Sequence, residues 1–201
     1  MATQSGGFRW WRRQRGRPIW FTDPPFCIGG HWEGEKATPE LPHSVYRIDP
    51  QNNSVALMLD NLAGPNGLCF SPDEKKLYVV EGRASPNRLV WVYDVLDGGK
   101  KLSERKVAVD AGGPGARSTA SNATRTGNLW CGWGSNGSPT AKAEELDGVM
   151  VFNPAGKAIG HIRLPERCAN LCFGGPKGNR LFMTSSHSLY SLYVETRGAV
   201  Y

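Results

Sequence analysis

The side chains able to do chemistry in this 201-residue chain fall into four groups. Asn66, in Pro65-Asn66-Gly67, stands where a short amide can project from a loop just ahead of an apolar strand. Asn170, in Ala169-Asn170-Leu171, repeats that placement. Each asparagine precedes a leucine, Leu77 or Leu181, by 11 residues. His31 and His43 are 12 apart in a polar stretch that also holds Glu33, Glu35 and Glu40. They are candidate metal ligands, set against the commoner solvated loop histidine. Cys168 and Cys172 are four apart with no second pair to complete a zinc site, so buried reduced thiols are the expectation. Glu166-Arg167 either rims a channel or is a surface pair.

The elements that must position these groups repeat. Residues 66–81 read as a β-hairpin: Leu68, Cys69 and Phe70, then a Ser71-Pro72-Asp73-Glu74 turn, then Leu77 to Val80. Ala169 to Phe173 and Leu181 to Met183 make a second copy. A third copy ends in Gly127-Asn128-Leu129-Trp130 and a fourth in Ile19-Trp20-Phe21-Thr22. Leu77, Leu129 and Leu181 are 52 residues apart in both steps. Outer strands of a second type recur at 45–49, 89–94, 149–152 and 188–194. A period near 50 built from four short strands predicts an all-β propeller with about four blade-equivalents. The long loop from Phe26 to His43 is expected to wall a pocket, since loops of that length are uncommon without a function.

Composition agrees. Twenty-five glycines and 14 prolines with 39% hydrophobic residues suit an all-β fold with many turns. No apolar run approaches the ~18 residues of a membrane span, and the N-terminus shows no signal-peptide core. Reduced thiols point to a cytoplasmic setting. The net charge is +6. Five arginines fall within residues 9–17, and Arg117 and Arg125 within 116–126. Without these seven the chain holds 17 basic and 18 acidic residues, so the body is near neutral. That argues against nucleic acid and membrane as partners. The domain reading is a basic leader, 1–18, disordered or off-frame, followed by a partial propeller, 19–201.

The runs Trp20-Phe21-Thr22-Asp23-Pro24-Pro25-Phe26, Gly64-Pro65-Asn66-Gly67-Leu68-Cys69-Phe70-Ser71-Pro72-Asp73 and Leu164 to Gly175 resemble the SMP-30/gluconolactonase/regucalcin family. The resemblance covers roughly residues 19–115 and 127–199. It implies a six-bladed propeller, here incomplete, that hydrolyses sugar lactones with one divalent cation, calcium or zinc, with magnesium or manganese as alternatives. It implies that Asn66 is a metal ligand. The family's aspartate ligand falls at Thr119, its N-terminal glutamate has no counterpart, and a substrate asparagine falls near Arg9. Catalytic and substrate-binding residues are therefore unassigned. The two off-pattern segments are also the two basic ones, and a neighbouring reading frame of a permitted coding sequence for 116–127 restores Asp-Gly. The sequence thus predicts a metal-dependent lactone hydrolase with weak or absent activity, its off-pattern segments explained by a local frameshift; the alternative is a non-catalytic propeller fragment that binds a sugar acid or a protein.

Overall fold

The computed structural model describes residues 10–13, 18–31, 35–85, 87–112 and 116–199. Within them the chain is all-β, with four antiparallel sheets and one four-residue helix, α1 (Ala143–Leu146). The first sheet is β1 (Trp10–Arg13), β2 (Ile19–Asp23), β3 (Ser44–Asp49) and β4 (Ser54–Leu59), in that order. The second is β5 (Pro65–Phe70), β6 (Lys76–Glu81) and β7 (Leu89–Leu96), with β8 (Lys101–Leu102) and β9 (Lys106–Asp110) both paired to β7. The third is β10 (Ala116–Ala123), β11 (Leu129–Ser135), β12 (Gly148–Phe152) and β13 (Ala158–Arg163). The fourth is β14 (Cys168–Gly174), β15 (Arg180–Ser185) and β16 (Leu189–Tyr193).

The hairpin expected at 66–81 forms, with Phe70 opposite Leu77 and Leu68 opposite Val79. Its turn is held by Asp73. The Asp73 carboxylate accepts from the Ser71 hydroxyl at 2.6 Å and from the Lys75 amide at 3.1 Å. Three details depart from the sequence reading. The strand starts at Pro65, so Asn66 is inside β5 rather than in the loop before it. The sheets are not uniformly four-stranded: among the described residues the second has five strands and the fourth has three. Trp10–Arg13, drawn as part of the leader, pairs with β2; the leader's residues 1–9 and 14–17 lie outside the described residues.

The core consists of three layers between successive sheets. Trp20, Val45, Leu68, Leu77, Val79 and Tyr93 fill the first. Cys69, Val80, Val90, Leu129, Cys131, Trp133 and Phe152 fill the second. Trp130, Val149, Val151, Leu171, Leu181 and Met183 fill the third. A strand's side chains alternate between its two faces. In β6, Leu77 and Val79 therefore enter one layer while Val80 enters the next. In β11, Trp130 enters the layer opposite to that of Leu129 and Cys131. The two middle sheets are buried on both faces, which is why their strands read as continuous apolar runs.

The first strands of the last three sheets lie side by side and run the same way. Gly67 of β5 is against Ala120 of β10, and the Cys69 Sγ is 3.4 Å from the Ser121 Oγ. The Thr119 hydroxyl donates to the Cys168 carbonyl at 3.0 Å, and the Asn122 amide donates to the Leu171 carbonyl. Positions rise together along all three strands. Their starts therefore share one end of the molecule, together with the β6–β7, β11–β12 and β15–β16 loops. The Thr22 hydroxyl donates to the Asn66 carbonyl at 2.8 Å, which places the end of β2 there too.

Candidate functional site

The strand-start end collects most of the residues singled out above. Asn66 is buried at the second position of β5. Its amide nitrogen lies 3.4 Å from where a Cβ on Gly82 would be, so the glycine gives that side chain room. Thr119 is the neighbour of Asn66 on the next strand. Its hydroxyl is committed to the Cys168 carbonyl, so it ties β10 to β14. Asp23, at the end of β2, is buried close by. His43 is half-buried beside it: burial pulls the imidazole pKa down, the Asp23 charge raises it and the Arg83 charge lowers it further. His31 does not join them, being exposed with Glu35 at 3.4 Å. Glu33 lies outside the described residues.

The donors do not fit a divalent cation. Hard cations take six or more oxygens, several of them charged. Asn66 offers one neutral amide. Thr119 offers a neutral hydroxyl already spent on a carbonyl. Among the described residues no three of His, Cys, Asp and Glu are grouped as a metal site would need. The thiols do not help. Burial pushes the Cys168 thiol up to about 12 and also raises that of Cys131, so both stay protonated. Cys172 is exposed, contrary to the expectation that its thiol is buried. Residues four apart on a regular strand share a face, but the register of β14 shifts between Cys168 and Asn170. That irregularity turns Cys168 inward and leaves Cys172 outside. Asn170 stabilises the same stretch, its side chain accepting the Leu171 amide at 2.7 Å.

Sequence reasoning named Arg117 and Arg167 separately but missed that they group with Arg83 and Arg88. Arg117 is the second residue of β10, Arg167 immediately precedes β14, and Arg83 and Arg88 lie in the β6–β7 connection. Among the described residues none of the four is paired with a carboxylate. Arg83 lies over the Phe26 ring, 5.2 Å from its centre. Arg88 donates to the Ala84 carbonyl and Arg167 to the Ser135 carbonyl at 3.4 Å. The acid next to Arg167 in sequence is turned away from it. Glu166 accepts from the His187 amide at 2.7 Å, lies 3.1 Å from the His187 Nδ1 and accepts the Tyr190 hydroxyl at 3.0 Å. Burial pulls the Glu166 carboxyl pKa up, but hydrogen bonds from Ser188, His187 and Tyr190 outweigh it and leave it lowered. Asp147, also buried at this end, holds the Ser135 amide at 2.8 Å. The signals in the sequence were the Glu166-Arg167 pair, read as a channel rim or a surface pair, and the basic segment 116–126, which the fold splits. Arg117 goes to this end. Arg125, past the end of β10, goes to the other, where its amide bonds the Arg197 carbonyl at 3.0 Å.

A cavity of about 410 Å³ opens beside this site, lined by Ala116, Trp133, Lys142, Glu145, Leu146 and Met150 among others. It belongs to the face of β10 opposite Arg117, since Ala116 packs against the middle layer and neighbouring side chains alternate.

Known proteins share this fold. A gluconolactonase of Zymomonas mobilis is 33% identical over 189 residues, which is 90% of this chain and 48% of that protein. A solved gluconolactonase from Xanthomonas campestris superposes with a TM-score of 0.76 at 32% identity, over 91% of this chain and 55% of that one. A solved calcium-binding protein, regucalcin from Agrobacterium tumefaciens, shares the fold with a TM-score of 0.69 at 20% identity. These likenesses mark the four sheets as a propeller-type arrangement. The chain spans about half the length of the curated gluconolactonase it matches. Residues 13–187 match the SMP-30/Gluconolactonase/LRE-like region, and the chain belongs to that family.

Proposed function

We propose that this chain is a lactone hydrolase of the gluconolactonase type whose turnover is slowed by its own substitutions. The four sheets are taken as four blades of a six-bladed ring. A lactone is a cyclic ester: water attacks the carbonyl carbon, the ring C–O bond breaks, and the ring oxygen leaves as a hydroxyl. The reaction needs stabilisation of the carbonyl oxygen as it gains charge and a group to take a proton from water. In the family a bound cation supplies the first. This chain keeps Asn66 at the strand start but carries Thr119 where a charged ligand is expected. That single position carries the proposal of weak activity. The reading frame explanation for the off-pattern segments is checked by determining the coding DNA around residues 1–18 and 116–126.

Gluconolactone hydrolysis, followed in a pH-stat with and without added calcium, zinc, magnesium or manganese, tests the reading. Slow turnover is expected from the natural chain. Thr119→Asp is expected to raise the metal-dependent rate, because it restores the charge that the family resemblance implies at that position. Turnover near that of a full-length gluconolactonase would remove the impairment. No turnover in either protein would remove the hydrolase reading and favour a sugar-acid-binding propeller, which the unpaired arginines support.

A further inference from the structure

Arg117 stands across the β10–β11 ladder from Gly134. A Cβ on Gly134 would collide with the Arg167 Cγ, so Arg167 lies along the same backbone that Arg117 faces. The two guanidinium-bearing chains thus share one rim, between the third and fourth sheets. The Arg117 Nε is enclosed and has no hydrogen-bond partner among the described residues. Burial, with repulsion from Arg88, Arg167 and Arg83, lowers the Arg117 pKa. An enclosed guanidinium facing other guanidiniums is an arrangement of unmet cost. An anion relieves it. A carboxylate satisfies a guanidinium through two parallel hydrogen bonds in the plane of the fork, as a phosphate does. Among the described residues Glu166 is engaged with His187 and Tyr190, while Asp147, whose Oδ1 would lie 3.0 Å from the same Gly134 Cβ, holds the Ser135 amide and makes no ion pair with either arginine.

We propose that Arg117 and Arg167 form a binding site for the carboxylate of a sugar acid, with Arg83 and Arg88 adding to its positive potential. The choice of a sugar acid rests on the lactone-hydrolase reading, because ring opening of a sugar lactone yields that acid. The oxyanion chemistry itself does not depend on it. Where relatives are implied to gather oxygens about a cation, this chain gathers cations about an oxyanion.

Titration calorimetry of the full chain at constant ionic strength tests this, with sodium gluconate as ligand, glucose as the neutral control and inorganic phosphate as the rival oxyanion. Gluconate is expected to bind and glucose to give no heat. Arg117→Gln and Arg167→Gln should each weaken gluconate at least tenfold, with Arg117→Lys between them and the natural chain because it keeps the charge but loses the fork. Circular dichroism establishes that each variant is folded, and if one is not, the other carries the comparison. The proposal is overturned if gluconate binds no better than glucose, if phosphate binds more tightly than gluconate, or if the folded glutamine variants keep full affinity. Gluconate binding without lactone turnover would remove the hydrolase reading and leave this site standing; turnover without gluconate binding would do the reverse.

Discussion

A methyl group on Gly67 would sit 2.7 Å from the Ala120 Cα and 2.8 Å from the Thr119 carbonyl oxygen. Both are backbone atoms of the neighbouring first strand and cannot swing aside. Gly132 is similarly tight, with the Cys168 carbonyl oxygen 2.7 Å from its missing Cβ. These glycines let three sheets converge. Gly67→Ala is expected to destabilise the protein by about 1–3 kcal/mol, the usual cost of overpacking, read as a lower urea midpoint. It should also disturb Asn66 next to it, so any residual lactone turnover should fall together with stability. At this scale the sequence was partly legible. Pro65-Asn66-Gly67 announces a special backbone position, but nothing in the chain says that Gly67 meets Ala120, which is 53 residues away. The thiols teach the same point. Cys168 and Cys172 look equivalent by spacing, and a local register shift puts one inside and the other in solvent.

The strands were the most legible elements, because alternation of apolar residues is a local property. Leu77, Leu129 and Leu181, chosen for their even spacing, are all buried, at 0%, 3% and 0% exposure. Each begins or nearly begins the second strand of its sheet. Which layer each enters was not legible, since a strand buried on both faces has no polar side to orient it. Tyr93 of β7 shows the consequence for ionisation. It is enclosed in the first layer, and burial pushes its phenol up to about 12, with Arg105 pulling the other way. The folded-state pKa is raised above the ordinary value of 10.0. The neutral phenol therefore contributes stability that is fully present below about pH 10 and lost as pH rises towards about 12. The loss amounts to about 2–3 kcal/mol. Urea unfolding at about pH 9 and about pH 11.5 should show the fall, and Tyr93→Phe should lessen it. An unchanged slope in Tyr93→Phe would mean other groups drive the alkaline transition.

Viewed whole, the molecule is four sheets that share three apolar layers, and the second and third sheets each contribute to two of them. Loss of one layer strips a face from a sheet that the next layer needs. Unfolding of the described body is expected to be a single transition, with tryptophan fluorescence and far-UV circular dichroism giving coincident urea midpoints. Val149→Ala, in the third layer, should lower both midpoints equally, by about 0.5–2 kcal/mol in stability. Separated midpoints would show that the sheets unfold independently, as in repeat arrays with weak coupling. The sequence by itself determined the strand repeat, the turn chemistry and the family resemblance, because each is written in neighbouring residues or in a fixed period. Only the tertiary structure decided that Arg83, Arg88, Arg117 and Arg167 share one end while Glu166 turns to His187 and Tyr190. Charges spread over 85 residues of chain become one electrostatic site only when strand direction brings their starts together, and direction is a property of the assembled sheets.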